Sequence, residues 1–546
     1  MRSCGRFATE MRDVASTRRP RRRGLSAWHL FILGLGGAAS AAETAVNIDC
    51  GRQLFVDDAL VESATNLVRH WNRPVKEARP VVWPGNGAGR GVREGGADAN
   101  LTCATDGGLW WDPSRGCYRL WYQADWLGDA CYAESKDGAL WTYPDLGVVK
   151  GTNRLFAEKS HLDSWGVSPD YFAANPYASW VMFISPPGWY TEDEAWRSQD
   201  GLTFAPVGKL GYSGDRSTFY CDPFRGTWVF SLRDYDAPVR GRTRWFFESR
   251  EIKSPLWKRD TGNRNATPKA ADYAGLPGSE PWFGVTNKPN WSLYNFNAAP
   301  YESLMLGVME VLYNTPHDNG DCEKIGLPKQ TGLHFVFSRD GKAYGAPRDA
   351  VDIAPEGWGS GKWDSGYLSP IGGICTVDDE RLTFYYSGLR GDSTRLEKGN
   401  TWMRNGMYSN GAIGRATLRR DGFAGMVADG AGALVTKPLA FTGAHLFVNV
   451  ECLFGDVRAE ILDANGRPFP GFAAADCTAL VQDDRTKAEL VFRGGSLAAL
   501  GGRNARIRFL LHCATLYSFW VSPSARGESR GYVAAGGPQY PGLRDL

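Results

Sequence analysis

The sequence predicts an all-β protein, a five-bladed β-propeller followed by a C-terminal β-sandwich. Three observations predict it. Five stretches repeat one plan: an apolar run, a turn, a second apolar run, and a closing segment of the Ser-x-Asp-Gly kind. Self-similarity at this scale marks a repeat architecture. The 546 residues include 66 Gly, 30 Pro and 21 Trp and are 13% aromatic, a balance that suits many short strands joined by turns. Beyond residue 427 the repeat stops while short apolar runs and turns continue.

In chain order, residues 1–42 read as a secretory leader. Arg18, Arg19, Arg21, Arg22 and Arg23 form a basic stretch, 25–38 is apolar but short for a stable membrane anchor, and Ala39-Ser40-Ala41-Ala42 offers small residues for cleavage. Ser16-Thr17-Arg18-Arg19 hints at twin-Arg export, which Pro20 weakens. An exported protein, periplasmic or extracellular, is therefore expected, with no membrane span. The leader holds 8 Arg and 2 acids, leaving 54 basic and 58 acidic residues beyond it. That balance lacks the basic footprint of a nucleic-acid or membrane binder. Ten cysteines remain, none in a CxxC. Export permits disulfides, and Cys103, Cys117 and Cys131 within one repeat are the candidates to pair.

Residues 43–97 lead into the first blade, and Gln53-Leu-Phe-Val-Asp-Asp58 is expected as a strand that closes the ring or lies under it. The first blade takes strands at 101–111, 118–122, 130–135 and from 140. At its turn, Asp112-Pro113-Ser114-Arg115, Pro presets φ and Asp accepts a local hydrogen bond; Asp137-Gly138 is a hairpin turn. The second blade takes 167–173, 180–185, 195–198 and 203–208 around Asn175-Pro176-Tyr177. The third takes 217–221, 227–233, 243–249 and a piece near Trp257, turning at Asp222-Pro223-Phe224-Arg225. The fourth takes 292–298, 304–313, 332–338 and a piece near Tyr344, turning at Ala299-Pro300-Tyr301-Glu302. The fifth takes 366–377, 382–387, 411–418 and a piece at Phe423, turning at Asp378-Asp379-Glu380-Arg381. Four antiparallel strands make a propeller blade, so the blades end at 426. From 427 to 546, runs at 439–441, 446–450, 457–462, 488–492, 505–511 and 517–521 read as a sandwich of roughly 100 residues.

Four stretches carry a family likeness: Gln53-Leu-Phe-Val-Asp-Asp58, Pro300-Tyr-Glu-Ser-Leu-Met-Leu-Gly307, Thr383-Phe-Tyr-Tyr-Ser-Gly388 and Gly531-Tyr-Val-Ala-Ala-Gly-Gly537. With the propeller-and-sandwich plan, the chain resembles a bacterial, exported branch of the superfamily of glycoside hydrolase families 32, 43 and 68. The resemblance implies a carbohydrate substrate and carboxylates near the starts of the innermost strands. The Trp-Met-Asn-Asp-Pro-Asn, Arg-Asp-Pro and Glu-Cys motifs of the sucrose-acting members do not occur, so no catalytic residue transfers by motif.

By that placement, the residues before the inner strands are Asp98 with Asn100, Asp163 with Trp165, Asp215 with Arg216, Asn290 with Trp291, and Asp364 with Tyr367. Asp98, Asp163 and Asp215 are the catalytic candidates, as base or nucleophile, pKa tuner and acid in turn, since glycosidic cleavage needs a protonated and an ionised carboxyl. The competing reading is that each Asp caps a turn. Asn100, Trp165, Arg216, Trp189, Arg233, Glu310, Asp364 and Arg390 are the candidate substrate contacts. Trp189 follows Pro186-Pro187-Gly188 and offers a flat ring to a sugar face; Arg216, Arg233 and Arg390 favour an anionic group. Glu302 and Glu248 sit at a turn and on an outer strand and read as structural. No cofactor or metal is expected: 317–323 carries oxygen ligands for calcium without the full loop spacing. Gly-x-Ser-x-Gly is absent, which disfavours a serine esterase. A glycoside hydrolase leads; a phosphorylase of the same fold and a non-catalytic carbohydrate-binding propeller stand as alternatives.

Overall fold

A computed structural model describes residues 44–546 apart from 93–98, 159–161, 187–190, 237–240, 255, 257–279, 282–290, 314–321, 323, 346–350 and 396–405. The leader, Asp98, Trp189, Asn290, Trp257 and most of 317–323 therefore lie outside the described residues. The described chain is almost entirely β, and no helix in it is long and apolar enough to cross a membrane.

Five antiparallel sheets follow one another. The first runs Thr102–Asp112, Cys117–Ala124, Asp129–Ser135 and Trp141–Thr142. The second runs Ser164–Pro169, Trp180–Ser185, Thr191–Ser198 and Ala205–Ser213. The third runs Thr218–Asp222, Thr227–Asp236, Gly241–Ser249 and Glu280–Pro281. The fourth runs Trp291–Glu302, Leu304–Tyr313 and Thr331–Ser338, with Tyr532–Val533 added beside its first strand. The fifth runs Gly366–Val377, Arg381–Leu389 and Gly411–Arg419. Its fourth strand is not the expected piece at Phe423. Val75–Lys76, from the other end of the chain, pairs with Ala416 and Thr417 instead. Gln53–Leu54 pairs outside the five sheets, with the strand Arg506–Ser522.

The turns behave as their residues dictate. Asp112 accepts from the amides of Ser114 (3.0 Å) and Arg115 (3.3 Å), and Asp222 does the same for Phe224 and Arg225. In the closing segments Ser135 and Ser198 each accept from the glycine amide three residues on, at 2.8 Å. Asp137, Asp200 and Asp340 each bind two following amides. Those repeated aspartates are turn caps.

The first strands of the five sheets are mutual neighbours in ring order. Asp106 pairs in parallel with Trp165 on one side and Ile371 on the other. Glycines permit this approach: a Cβ on Gly372 would meet the Gly107 carbonyl oxygen at 2.9 Å, and one on Gly107 the Trp121 carbonyl oxygen at 2.3 Å.

The remaining strands form a nine-stranded assembly around Arg506–Ser522. Its first half pairs with Asp456–Leu462, its second with His445–Glu451, and Cys513 between them has φ +43°. Val61–Thr65 and Val68–Trp71 join it through Ala424–Thr436. Leu446, Val448, Val457, Ile507 and Phe519 fill its core. Between this assembly and the fourth sheet lies a buried ion cluster. Glu302, 0% exposed, binds Arg420 at 2.8 Å and the Arg52 amide at 3.0 Å, while Arg52 reaches Asp421 at 3.1 Å. Glu248 pairs with Arg225 and Lys342.

The ten described cysteines are free thiols. Cys103, Cys117 and Cys131 do not pair because the first sheet's register sets them opposite Gln123, Asp112 and Tyr122.

Candidate functional site

The polar hub of the molecule lies where the inner strands meet. Asp106 sits within the first of them at φ +79°, followed by Gly107 and Gly108, and the pairing with Cys117–Ala124 shifts register between Cys103 and Gly108. A strand interrupted in this way turns a side chain out of its regular alternation. Asp106 is 1% exposed and accepts from Asn295 Nδ2 (2.7 Å) and Asn297 Nδ2 (3.2 Å). Burial pushes its carboxyl up to about 6, against the pull of Arg216 and the two amides. Asp106 also lines a cavity of 20 Å³, with room for about one water, together with Trp110, Trp165, Asn297 and Gly372.

Arg216, in the link between the second and third sheets, has φ +62° and is 1% exposed. Its backbone amide donates to Asp163 Oδ2 (3.1 Å), and its guanidinium donates to the Asp163 carbonyl (3.3 Å), Ser369 Oγ (3.0 Å) and Glu310 Oε2 (3.5 Å). One guanidinium thus joins two carboxyl-bearing residues from different sheets. Ser369 also donates to Glu310 Oε2, at 2.8 Å. The other carboxyl oxygen, Oε1, is buried with no hydrogen-bond partner among the described residues. Burial pushes Glu310 up to about 7, beyond what Arg216 and Ser369 offset. Burial likewise raises Asp163, against Arg216 and Arg233.

Beneath Arg216, Arg244 donates to the carbonyls of Arg216 (2.6 Å) and Tyr294 (2.5 Å) and to Asn295 Oδ1 (3.2 Å). Burial, then repulsion from Arg233, brings it down to about 9. Asp215 forms an ion pair with Arg233, and its side chain keeps 27% exposure. Lys329 donates to the Tyr294 hydroxyl at 2.5 Å. Tyr367 and Tyr408 lie beside it, and Trp126 stacks on Tyr408 at 3.8 Å.

The structure thus brings Asp163, Arg216, Arg233, Asp215 and Glu310 together. Other candidates go elsewhere. Asp364 accepts from Lys76 Nζ and Tyr386 Oη, both at 2.9 Å, and fastens the added strand to the fifth sheet. Trp165 is 1% exposed and belongs to the core between the first two sheets. Arg390 is exposed and lines a separate crevice with Trp358 and Asp392. Asn100 is half-buried, its amide donating to Asp125 Oδ1 at 2.9 Å. Sequence reasoning missed Asp106, Tyr294, Asn295, Asn297, Arg244, Lys329 and Ser369. Two signals were present: Asp106-Gly107-Gly108 inside an apolar run marks a bulge, and Tyr294-Asn295-Phe296-Asn297 alternates polar groups within a buried strand.

Among the described residues no cluster of three or more His, Cys, Asp or Glu could hold a metal ion. No protein-family model and no curated protein matches the chain. Solved structures that align with it include an N-acetylgalactosamine deacetylase from F. plautii in complex with blood group B trisaccharide, at 11% identity and TM-score 0.38, over 65% of this chain and 96% of that one. The catalytic domain of a Coprinopsis cinerea GH62 α-L-arabinofuranosidase aligns at 12% identity and TM-score 0.35, over 63% and 96%. A β-fructofuranosidase from Schwanniomyces occidentalis aligns at 10% identity and TM-score 0.35, over 82% and 97%.

Proposed function

We propose that the chain is an exported glycoside hydrolase acting on a poly- or oligosaccharide, its five sheets the blades of a five-bladed propeller and its nine-stranded assembly a β-sandwich. The ring order of the inner strands supports the architecture. The observation that carries the chemistry is Glu310, a buried carboxyl drawn up to about 7 and joined through Arg216 to a second acidic residue.

Glycosidic cleavage needs one carboxyl that holds a proton for the leaving oxygen and one carboxylate that attacks the anomeric carbon or activates water. Glu310 suits the first task, because a carboxyl near 7 keeps its proton at the pH where it must give it up. Asp215, ion-paired and partly exposed, suits the second, with Asp98 as the other candidate from the sequence. The ion pair with Arg233 is the reason for moving the acid's role from Asp215 to Glu310. Asp163 acts through Arg216, whose charge and position bear on Glu310.

Release of reducing ends from a glycan panel tests the reading. Wild type should cleave at least one glycan, and Glu310→Gln should lower kcat/KM about 10²- to 10⁴-fold. Unchanged activity in that variant, or binding without cleavage across the panel, refutes it.

A further inference from the structure

The crevice that Arg390 lines stands beside the hub and is built from the same chain segments. It measures 390 Å³, within the range of about 300–1,000 Å³ that small-molecule sites occupy. Leu327, Ser365 and Asn410 line it. Lys329, Tyr367 and Tyr408, each two residues away from one of these, meet in the hub. Two residues span at most about 7 Å, so three separate segments carry the wall of the hub into the wall of the crevice. One of them reaches Glu310. Ser369 donates to that carboxyl at 2.8 Å, and the chain from Ser365 to Ser369 spans at most about 14 Å.

The walls are fixed to one another. The Tyr367 amide donates to the Lys329 carbonyl (2.6 Å), Gln330 Nε2 to the Ser365 carbonyl (2.9 Å) and Trp358 Nε1 to the Pro328 carbonyl (2.8 Å). Asn410 Nδ2 donates to the Gly391 carbonyl at 3.0 Å. Gly391 approaches the opposite segment so closely that a Cβ there would meet Pro328 Cδ at 2.6 Å. A site whose walls are bonded before a ligand arrives loses little to ordering. Its lining suits a sugar: the half-buried indole of Trp358 offers apolar surface, and Arg390, Asp392, Ser393 and Asn410 bring donors and acceptors. Arg390 and Asp392 are the charged residues of that lining, one of each sign, so among the described residues the crevice carries no excess charge for an anion. Arg390 and Ser393 are exposed, and the crevice opens to solvent. On the hub side, Tyr367 Oη and Glu310 Oε1 are buried with no hydrogen-bond partner among the described residues. A chain running from crevice to hub brings hydroxyls to both.

We infer that this crevice is a remote subsite, holding an uncharged sugar unit of the same glycan whose scissile bond lies at Glu310. The inference rests on the hydrolase reading and deepens it: the substrate is a chain long enough to reach the crevice, and cleavage improves with chain length. The hydrolytic step needs no change of chemistry, because the crevice only seats the chain.

Oligosaccharide ladders of xylan, arabinan, galactan and glucan, from disaccharide to hexasaccharide, test it on the full protein. On the ladder that the wild type cleaves, kcat/KM should rise about tenfold or more from disaccharide to hexasaccharide. Arg390→Ala removes a charge-assisted donor and should erase most of that gain. Ser393→Trp fills the crevice and should erase it by exclusion. Both side chains are exposed, so neither change reaches the core. Titration calorimetry with the same hexasaccharides gives a readout that needs no cleavage.

Cleavage with no gain from chain length overturns the subsite and leaves the hydrolase standing, as does a gain that both variants preserve. Tighter binding of a hexasaccharide than of its disaccharide, weakened by Arg390→Ala but with no cleavage on any ladder, keeps the crevice as a glycan site and rejects the hydrolase. Neither binding nor cleavage on any ladder rejects both.

Discussion

Glu310 shows how a residue's function is set by what surrounds it. Its carboxyl sits near 7 because burial disfavours the charged form more than Arg216 and Ser369 favour it. A glutamate carboxyl in the unfolded chain sits at its ordinary value of 4.5, so the folded state holds this proton more tightly. If Glu310 is the acid, kcat/KM falls on the alkaline side as pH rises through about 7, and Glu310→Gln removes that limb; a wild-type profile flat from pH 6 to 8 excludes the role. Asp193, 0% exposed beside Ser185 and Ser213, offers a test away from the hub. Burial raises it well above 3.8. Its contribution to stability is therefore greatest below the unfolded value and declines as pH rises toward the folded one. Each unit of pH in that window costs about 1.4 kcal/mol. Asp193→Asn should flatten the dependence, with denaturant unfolding showing a larger gain at pH 8 than at pH 5. Neither residue was legible as a titrating group, because burial is not a property of a sequence window.

Strands and turns were legible where local chemistry decides them. Asp112-Pro113 and Asp137-Gly138 turn the chain because Pro fixes φ and the carboxylates bind nearby amides. The strand Val75–Lys76 was not legible, since two residues without alternation give no signal and its partner lies more than three hundred residues away. Its place before an inner strand marks Asp364 as a candidate substrate contact. The structure gives it to Lys76 and Tyr386, both at 2.9 Å. Asp364→Ala should therefore destabilise the protein by about 1–3 kcal/mol while leaving KM unchanged. A raised KM at unaltered stability in denaturant melts would return Asp364 to the substrate.

At the scale of the molecule, two features join what the sequence separates. Glu302, Arg52, Arg420 and Asp421 bind the fourth sheet, the N-terminal segment and the nine-stranded assembly in one buried network. Glu302→Gln leaves two arginines short of a counter-charge and should cost about 3–5 kcal/mol, read as a lower unfolding midpoint; an unaltered midpoint would show that the network contributes nothing. The free cysteines are largely buried, and burial pushes Cys103 up to about 12. A reductant should therefore leave Tm unchanged, and a fall in Tm would reveal a disulfide. The sequence by itself determined the all-β character, the five repeats and the turn-capping aspartates, because alternation, proline geometry and side-chain-to-amide bonds act over a few residues. Only the tertiary structure decided which polar groups share the hub. Asp106, Asp163, Arg216, Tyr294, Glu310 and Lys329 come from separate segments, and their charges interact strongly only once the inner strands have brought them together and buried them.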